Sequence, residues 1–308
     1  MRRAFADTLV TLGRLDERVV FLTGDLGFQV FDNFQKEFPQ RYINVGVAEA
    51  QLVDCAAGMA LAGWKPLIYS IASFLTGRAF EHIRLSLGYH RLPVVVIGAG
   101  GGYAYAKSGV THHAKEDLAL MGLVPGMTVL CPGGPDEVTA LLPQLINAGG
   151  PSYLRLGRFG EPPVPTEAPI QVGRGRLVRD GTKVAFITTG SSVIQAGEAA
   201  DRLRADGIRP IVAHFHTVCP LDYTFLENIA RRSEALIVVE DHGNKGGLRA
   251  AVSHWLAGAA IRPRLIGLGP TDDFILGNPS PAEVFRQCGV DTLSLMETAR
   301  TLWSSLAT

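Results

Sequence analysis

The chain has 308 residues, a length that supports about two domains, each able to bury its own core. Its 29 lysines and arginines balance 29 aspartates and glutamates, so a net charge of zero gives no electrostatic case for a nucleic-acid or membrane-surface partner. No apolar run approaches the roughly 20 residues that span a bilayer, and Asp7 interrupts the stretch after the charged start Met1-Arg2-Arg3, so a cytoplasmic protein without a signal peptide is expected. Cys55, Cys131, Cys219 and Cys288 are scattered without a CxxC pair in apolar surroundings, as expected of buried thiols in a reducing compartment.

Strand-like and helix-like runs alternate from the start, the pattern of parallel α/β layers. A helix near Arg3 to Arg14 precedes a strand at Val19 to Thr23, an extended piece at Tyr42 to Val45 and a helix running to Leu61. A strand at Pro66 to Ile71, a helix from Phe74 to Leu87 and a strand at Pro93 to Ile97 follow. Gly98 to Val110 reads as a mobile glycine-rich loop; after it come a short helix at Lys115 to Leu123, a strand at Met127 to Cys131, a helix at Pro135 to Asn147 and a strand at Pro151 to Leu156. The first unit therefore covers 1–158. Residues 159–173, rich in proline, are expected to form a stiff linker rather than a packed element. In the second unit, 174–308, strands are expected at Lys183 to Thr189, Ile208 to Phe215, Ala235 to Glu240 and Arg264 to Leu268. Helices are expected to Asp206, capped by Ser191 and Ser192, and near Leu221 to Arg232, Gly247 to Leu256, Ala282 to Cys288 and Asp291 to Leu302.

The most informative stretch is Asn44-Val45-Gly46-Val47-Ala48-Glu49-Ala50. Leu52, Val53, Ala56, Ala57, Met59 and Ala60 recur at helical spacing, which sets Glu49 in the first turn of a core helix. One reading is a carboxylate favoured there by the helix dipole; the other is a Glu held in an apolar pocket to hand a proton to a ring nitrogen. The run Gly98-Ala99-Gly100-Gly101-Gly102-Tyr103 is no dinucleotide fingerprint, because Tyr103 or Tyr105 stands where the third glycine belongs and no helix follows directly. Thr111-His112-His113 closes that loop; adjacent histidines suit oxygens of a substrate better than one metal ion. His214 and His216 lack an evident third ligand, and Asp222, Glu240, Asp241 and His242 stand near strand ends, where capping or subunit contact is as reasonable as chemistry.

Six landmarks, in order, resemble the C-terminal half of the transketolase family. They are Leu22-Thr23-Gly24-Asp25-Leu26, Asn44 through Glu49, Tyr69-Ser70-Ile71-Ala72-Ser73-Phe74-Leu75, Gly109 through His113 with Asp117-Leu118-Ala119, Thr188-Thr189-Gly190-Ser191, and Val238 through Gly247. The resemblance implies two three-layer α/β domains with mostly parallel sheets, a pyrimidine-binding domain for thiamine diphosphate followed by a transketolase C-terminal domain. It implies that Glu49 binds N1′ of the cofactor's aminopyrimidine, where a proton given to the ring activates the cofactor. Phe74 stacks on that ring, and Asp25 and Leu75 belong to the same pocket. It places His112 and His113 at substrate oxygens, and Arg3 and Arg158 at a sugar phosphate.

Two departures stand out. Ser108 replaces the family's Asp four residues before His112, and the family's upstream substrate-binding His aligns near Gly100, which puts an ordinary xylulose-phosphate donor in question. The family's Gly-Asp-Gly…Asn motif for Mg²⁺ and the diphosphate has no counterpart in the chain. The implied assembly is a split transketolase, with two copies of this chain and two of an N-terminal, diphosphate-binding subunit that carries the Mg²⁺ ligands. It would transfer a two-carbon ketol unit between sugars or sugar phosphates. The alternatives are a deoxyxylulose-phosphate-synthase-like enzyme, a 2-oxo acid dehydrogenase beta-type subunit, or a non-catalytic relative that binds a partner.

Overall fold

The computed structural model describes residues 1–157 and 160–306. The first unit contains α1 (Arg2–Leu15), β1 (Val19–Thr23), α2 (Asp32–Glu37), β2 (Tyr42–Asn44), α3 (Glu49–Leu61), β3 (Lys65–Ile71), α4 (Phe80–His82), β4 (Val95–Ala99), α5 (Asp117–Gly122), β5 (Thr128–Leu130), α6 (Pro135–Ile146) and β6 (Ser152–Leu156). The second contains β7 (Arg176–Arg179), β8 (Lys183–Thr188), α7 (Ser192–Leu203), β9 (Ile211–His214), β10 (Thr217–Cys219), α8 (Tyr223–Ala230), β11 (Ser233–Val239), α9 (Leu248–Gly258), β12 (Arg264–Leu268), α10 (Pro281–Gln287) and α11 (Thr292–Ser305).

The strands form a seven-stranded sheet, ordered β10-β5-β6-β4-β3-β1-β2, and a five-stranded one, ordered β12-β11-β8-β9-β7. All pairs are parallel except β10 with β5 and β7 with β9, at the two sheet edges. Central strands are buried on both faces, which explains why they read as continuous Val, Ile and Leu runs rather than alternating patterns. Phe21, Leu67, Val95 and Ile97 face one core, Val20, Leu22, Ile68 and Val96 the other, so each side of the sheet is covered by helices. The second sheet repeats the scheme, with Val184 and Phe186 on one side and Ala185 and Ile187 on the other. Each unit is thus a three-layer α/β domain, as expected.

Several expectations need correction. The 160–173 segment is packed: Val164 enters the second unit's core, Ile170 and Val172 cover the first, and side chains of Asp136 and Gln144 hold the N–H groups of Val164 and Val172. Its prolines suit such a strap, because they bring no N–H that must be satisfied. β10 belongs to the second unit in sequence yet lies in the first unit's sheet, so the two share an edge. The stretch after Phe74 is not one α-helix; Phe74–Arg78 and Ile83–Tyr89 are π-helical, with α4 between them. Ser191 and Ser192 do not cap α7, as Ser192 donates instead to the carbonyls of Thr189 and Val239. Of the four free cysteines only Cys131 is fully buried. Among the described residues no helix is long and apolar enough to cross a membrane.

Candidate active site

Strands β2, β1, β3 and β4 are neighbours and parallel, so the segments after them emerge along one edge of the sheet. The chain leaves β1 toward β2 and leaves β3 toward β4, in opposite directions. That divergence opens a crevice at the carboxyl ends of β1 and β3, the usual place for a ligand in such a sheet. Asp25 follows β1, the Gly46 turn and Glu49 follow β2, Phe74 follows β3 and His112 lies in the segment after β4.

Glu49 is the first residue of α3 and shares a face with Leu52, Val53, Ala56 and Ala57, which are buried in the first unit's core. That face carries the carboxylate to 1% exposure. Its surroundings are more polar than the expected apolar pocket. Ser70 at the end of β3 donates to Oε1 at 3.0 Å, and Arg78 donates to Oε2 at 2.6 Å. The Arg78 guanidinium also lies 5.2 Å from the centre of the Phe74 ring, because the i→i+5 winding of Phe74–Arg78 brings the two side chains about one turn apart. Phe74 in turn meets the His112 ring edge-on at 5.0 Å. Ser73 holds the His112 segment by donating to the carbonyl of Thr111.

Asn44 is the joint between the β1 and β2 segments. Its Oδ1 accepts from the N–H groups of Asp25 and Gly46, and its Nδ2 donates to Asp25 Oδ1. Both segments need left-handed backbone, at Asp25 (φ 59°) and Gly46 (φ 76°); the side-chain bonds hold Asp25 there, and Gly46 adopts it without a Cβ penalty.

The structure brings Glu49, Phe74 and His112 together, with Asp25 on the same edge. It does not bring the other candidates to them. Leu75 is a core residue beside Val53 and Ala79. His113 is buried, packed on Tyr103 at 4.8 Å and hydrogen-bonded through Nε2 to the Ala106 carbonyl, contacts that shape the loop. Ser108 is exposed next to the Gly109 turn. Arg3 lies on the outer face of α1, paired with Asp7; its neighbour Arg2 points inward, to the Tyr105 hydroxyl and the Tyr69 ring. Arg158 lies outside the described residues. The contacts of Arg78, Ser70 and Asn44 are not legible in the sequence, since nothing in its periodicity says that β3's end faces α3's start.

The first part of the glycine-rich segment is packed. A Cβ on Gly101 would lie 2.0 Å from Arg155, and one on Gly102 2.0 Å from Asp241. Arg155 is buried and pairs with both Asp117 (2.9 Å) and Asp241 (2.6 Å), which ties the two units together behind the loop. Glu240 caps α9 by accepting from the N–H groups of Leu248 and Arg249, and Asp222 caps α8. Among the described residues no three of His, Cys, Asp and Glu are grouped to hold a metal ion.

Residues 1–159 match the family model of the transketolase pyrimidine binding domain, and residues 173–284 that of the transketolase C-terminal domain. The chain is 32% identical to one subunit of the apulose-4-phosphate transketolase of Phocaeicola vulgatus, over 97% of this chain and 96% of that protein. It is also 32% identical to a 1-deoxy-D-xylulose-5-phosphate synthase of Geobacter sulfurreducens, over 94% of this chain but 46% of that longer protein. A solved structure of a split gene transketolase, described as an inactive beta4 tetramer, superposes with a TM-score of 0.88 at 31% identity and covers 98% of this chain and 97% of that one. With both domains matched in order on the expected fold, the chain belongs to the transketolase family.

Proposed function

We propose that this chain is the C-terminal subunit of a split, thiamine-diphosphate-dependent transketolase that moves a two-carbon ketol unit from a ketose, free or phosphorylated, to an aldose. The observation that carries this reading is the buried Glu49 carboxylate, linked through Arg78 to the Phe74 ring that the His112 ring meets edge-on, at the crevice of the first sheet. These residues fit an aminopyrimidine: one carboxylate oxygen is fixed by Ser70, and the other is held only by the half-exposed Arg78, which also stands against the half-buried Phe74 ring. What the cofactor supplies when bound is a nucleophilic carbon for the ketol group. Glu49 holds the proton exchanged at the ring nitrogen, Phe74 stacks on the ring, and His112 hydrogen-bonds substrate oxygens as they change charge. Burial of Glu49 keeps water from competing for that proton.

The diphosphate and Mg²⁺ are left to a second polypeptide, giving an assembly with two copies of each subunit. The match to a relative that is itself one subunit of a transketolase, over 96% of its length, supports a split enzyme, and the inactivity ascribed to the beta4 tetramer supports the need for a partner. The test is calorimetric titration of thiamine diphosphate with Mg²⁺ into this chain alone and into its mixture with the polypeptide encoded beside it. Binding in the mixture only is expected. No binding in either would leave a non-catalytic relative.

A further inference from the structure

Arg78 is a charged group at the crevice that the proposed chemistry does not use. It contacts both residues assigned to the pyrimidine ring: its guanidinium donates to Glu49 Oε2 at 2.6 Å and lies 5.2 Å from the Phe74 ring centre. A guanidinium and an aminopyrimidine are both flat, both carry N–H donors, and both interact with an aromatic face. A ring that stacks on Phe74 and hydrogen-bonds to Glu49 needs the slot that Arg78 fills. Ser70 donates to the other carboxylate oxygen, so Oε2, where Arg78 donates, is the oxygen for which the guanidinium and a ring compete. The two sides of the pair also differ in mobility. Glu49 is anchored at 1% exposure, whereas the Arg78 side chain is 53% exposed and has solvent to move into.

We propose that Arg78 is a displaceable counter-ion of Glu49, and that the guanidinium and the cofactor's ring are alternative occupants of the slot between Glu49 and Phe74. Arg78 keeps the buried carboxylate paired until a ring arrives and then swings into solvent. This inference rests on the thiamine-diphosphate reading above. Part of the cofactor's binding energy goes into breaking the pair, so removing Arg78 tightens binding. Because the guanidinium is half exposed and screened by water, the gain is moderate, about threefold to tenfold.

The experiment is calorimetric affinity for thiamine diphosphate with Mg²⁺ in the reconstituted complex, comparing wild type, Arg78→Met, Glu49→Gln and the double variant, each checked for native circular dichroism. Arg78→Met is expected to bind about threefold to tenfold more tightly, and the gain is expected to vanish in the Glu49→Gln background, where there is no charge to release. A role confined to packing would not produce that dependence on Glu49. Equal or weaker binding by Arg78→Met, or a gain that persists without the Glu49 charge, overturns the proposal while leaving the cofactor assignment standing. Absence of binding by the wild-type complex overturns both.

Discussion

Glu49 and Glu137 are both buried glutamates that face an arginine, and the surroundings of each pair set its use. Glu137, on α6, is fully buried, and so is its partner Arg176, on β7, at 2.5 Å. His214 lies 3.0 Å from the other oxygen, the N–H of Gly133 donates to it at 2.8 Å, and Arg176 also donates to the carbonyls of Thr166 and Ala168. Burial alone would push the Glu137 carboxyl up, but His214, His216 and the Gly133 N–H together more than offset this and bring it down to about 2. Glu49 has the same chemistry with one partner half in water, and that opening turns a structural ion pair into one a ligand can displace. A charge is locked when every donor around it is buried and committed, and it is available when one is not.

The sharpest way to break this comparison is to remove the locked charge. Glu137→Ala leaves buried Arg176 with only the more distant carboxylate of Asp136 at 3.6 Å and His214 without its partner, and the expected loss is about 3–5 kcal/mol of unfolding free energy in urea. A loss under about 1 kcal/mol would mean that water reaches this junction and that the two pairs are alike.

The same junction predicts a pH effect. His216 is buried beside His214, its Nε2 has no hydrogen-bond partner, and burial brings its pKa down from 6.5 to about 4. The unfolded chain binds a proton there below about 6.5 and the folded chain only below about 4, so the histidine's contribution is intact above 6.5 and lost as pH falls toward 4. The full effect is about 3 kcal/mol. Glu240, raised by burial to about 7, works in the opposite sense over much of that range. The measurement is therefore the difference in stability between wild type and His216→Gln as pH falls from 6.5 to 4. Wild type should lose stability relative to the variant, and a constant difference would show His216 to be hydrated.

At the open pair, Glu49→Ala should leave the fold intact and lower turnover of the reconstituted complex by about 10²-fold or more, the low end for a lost proton-transfer group. Unchanged turnover would end the assignment of Glu49. The smallest effect is expected from Arg3→Ala. An exposed pair one helical turn apart contributes at most about 0.5 kcal/mol, and the Michaelis constant for a phosphorylated donor should not change. A rise of about tenfold or more, the size of one lost charge contact, would bring Arg3 back into the site.

The parts of this picture legible in the sequence are local. The spacing of Leu52, Val53, Ala56 and Ala57 sets Glu49 on the buried stripe of its helix, and the β-branched runs mark the central strands, because each pattern repeats within a few residues. The proposed site residues Glu49, Phe74 and His112 are picked out through the resemblance of short motifs in order. His113 and Leu75, adjacent to His112 and Phe74, are not separable from them in the sequence, since one step along a helical turn swings a side chain by about 100°.

What only the tertiary structure decided are the pairings between distant residues. Glu137 meets Arg176 and His214 across 39 and 77 positions, and Arg78 reaches Glu49 across 29. The three-residue β10 crosses into the other unit's sheet, and the proline-rich strap packs because two cores happen to lie on either side of it. No periodicity encodes such contacts. They follow from which strand ends the sheet order sets side by side, and that order is a property of the whole chain.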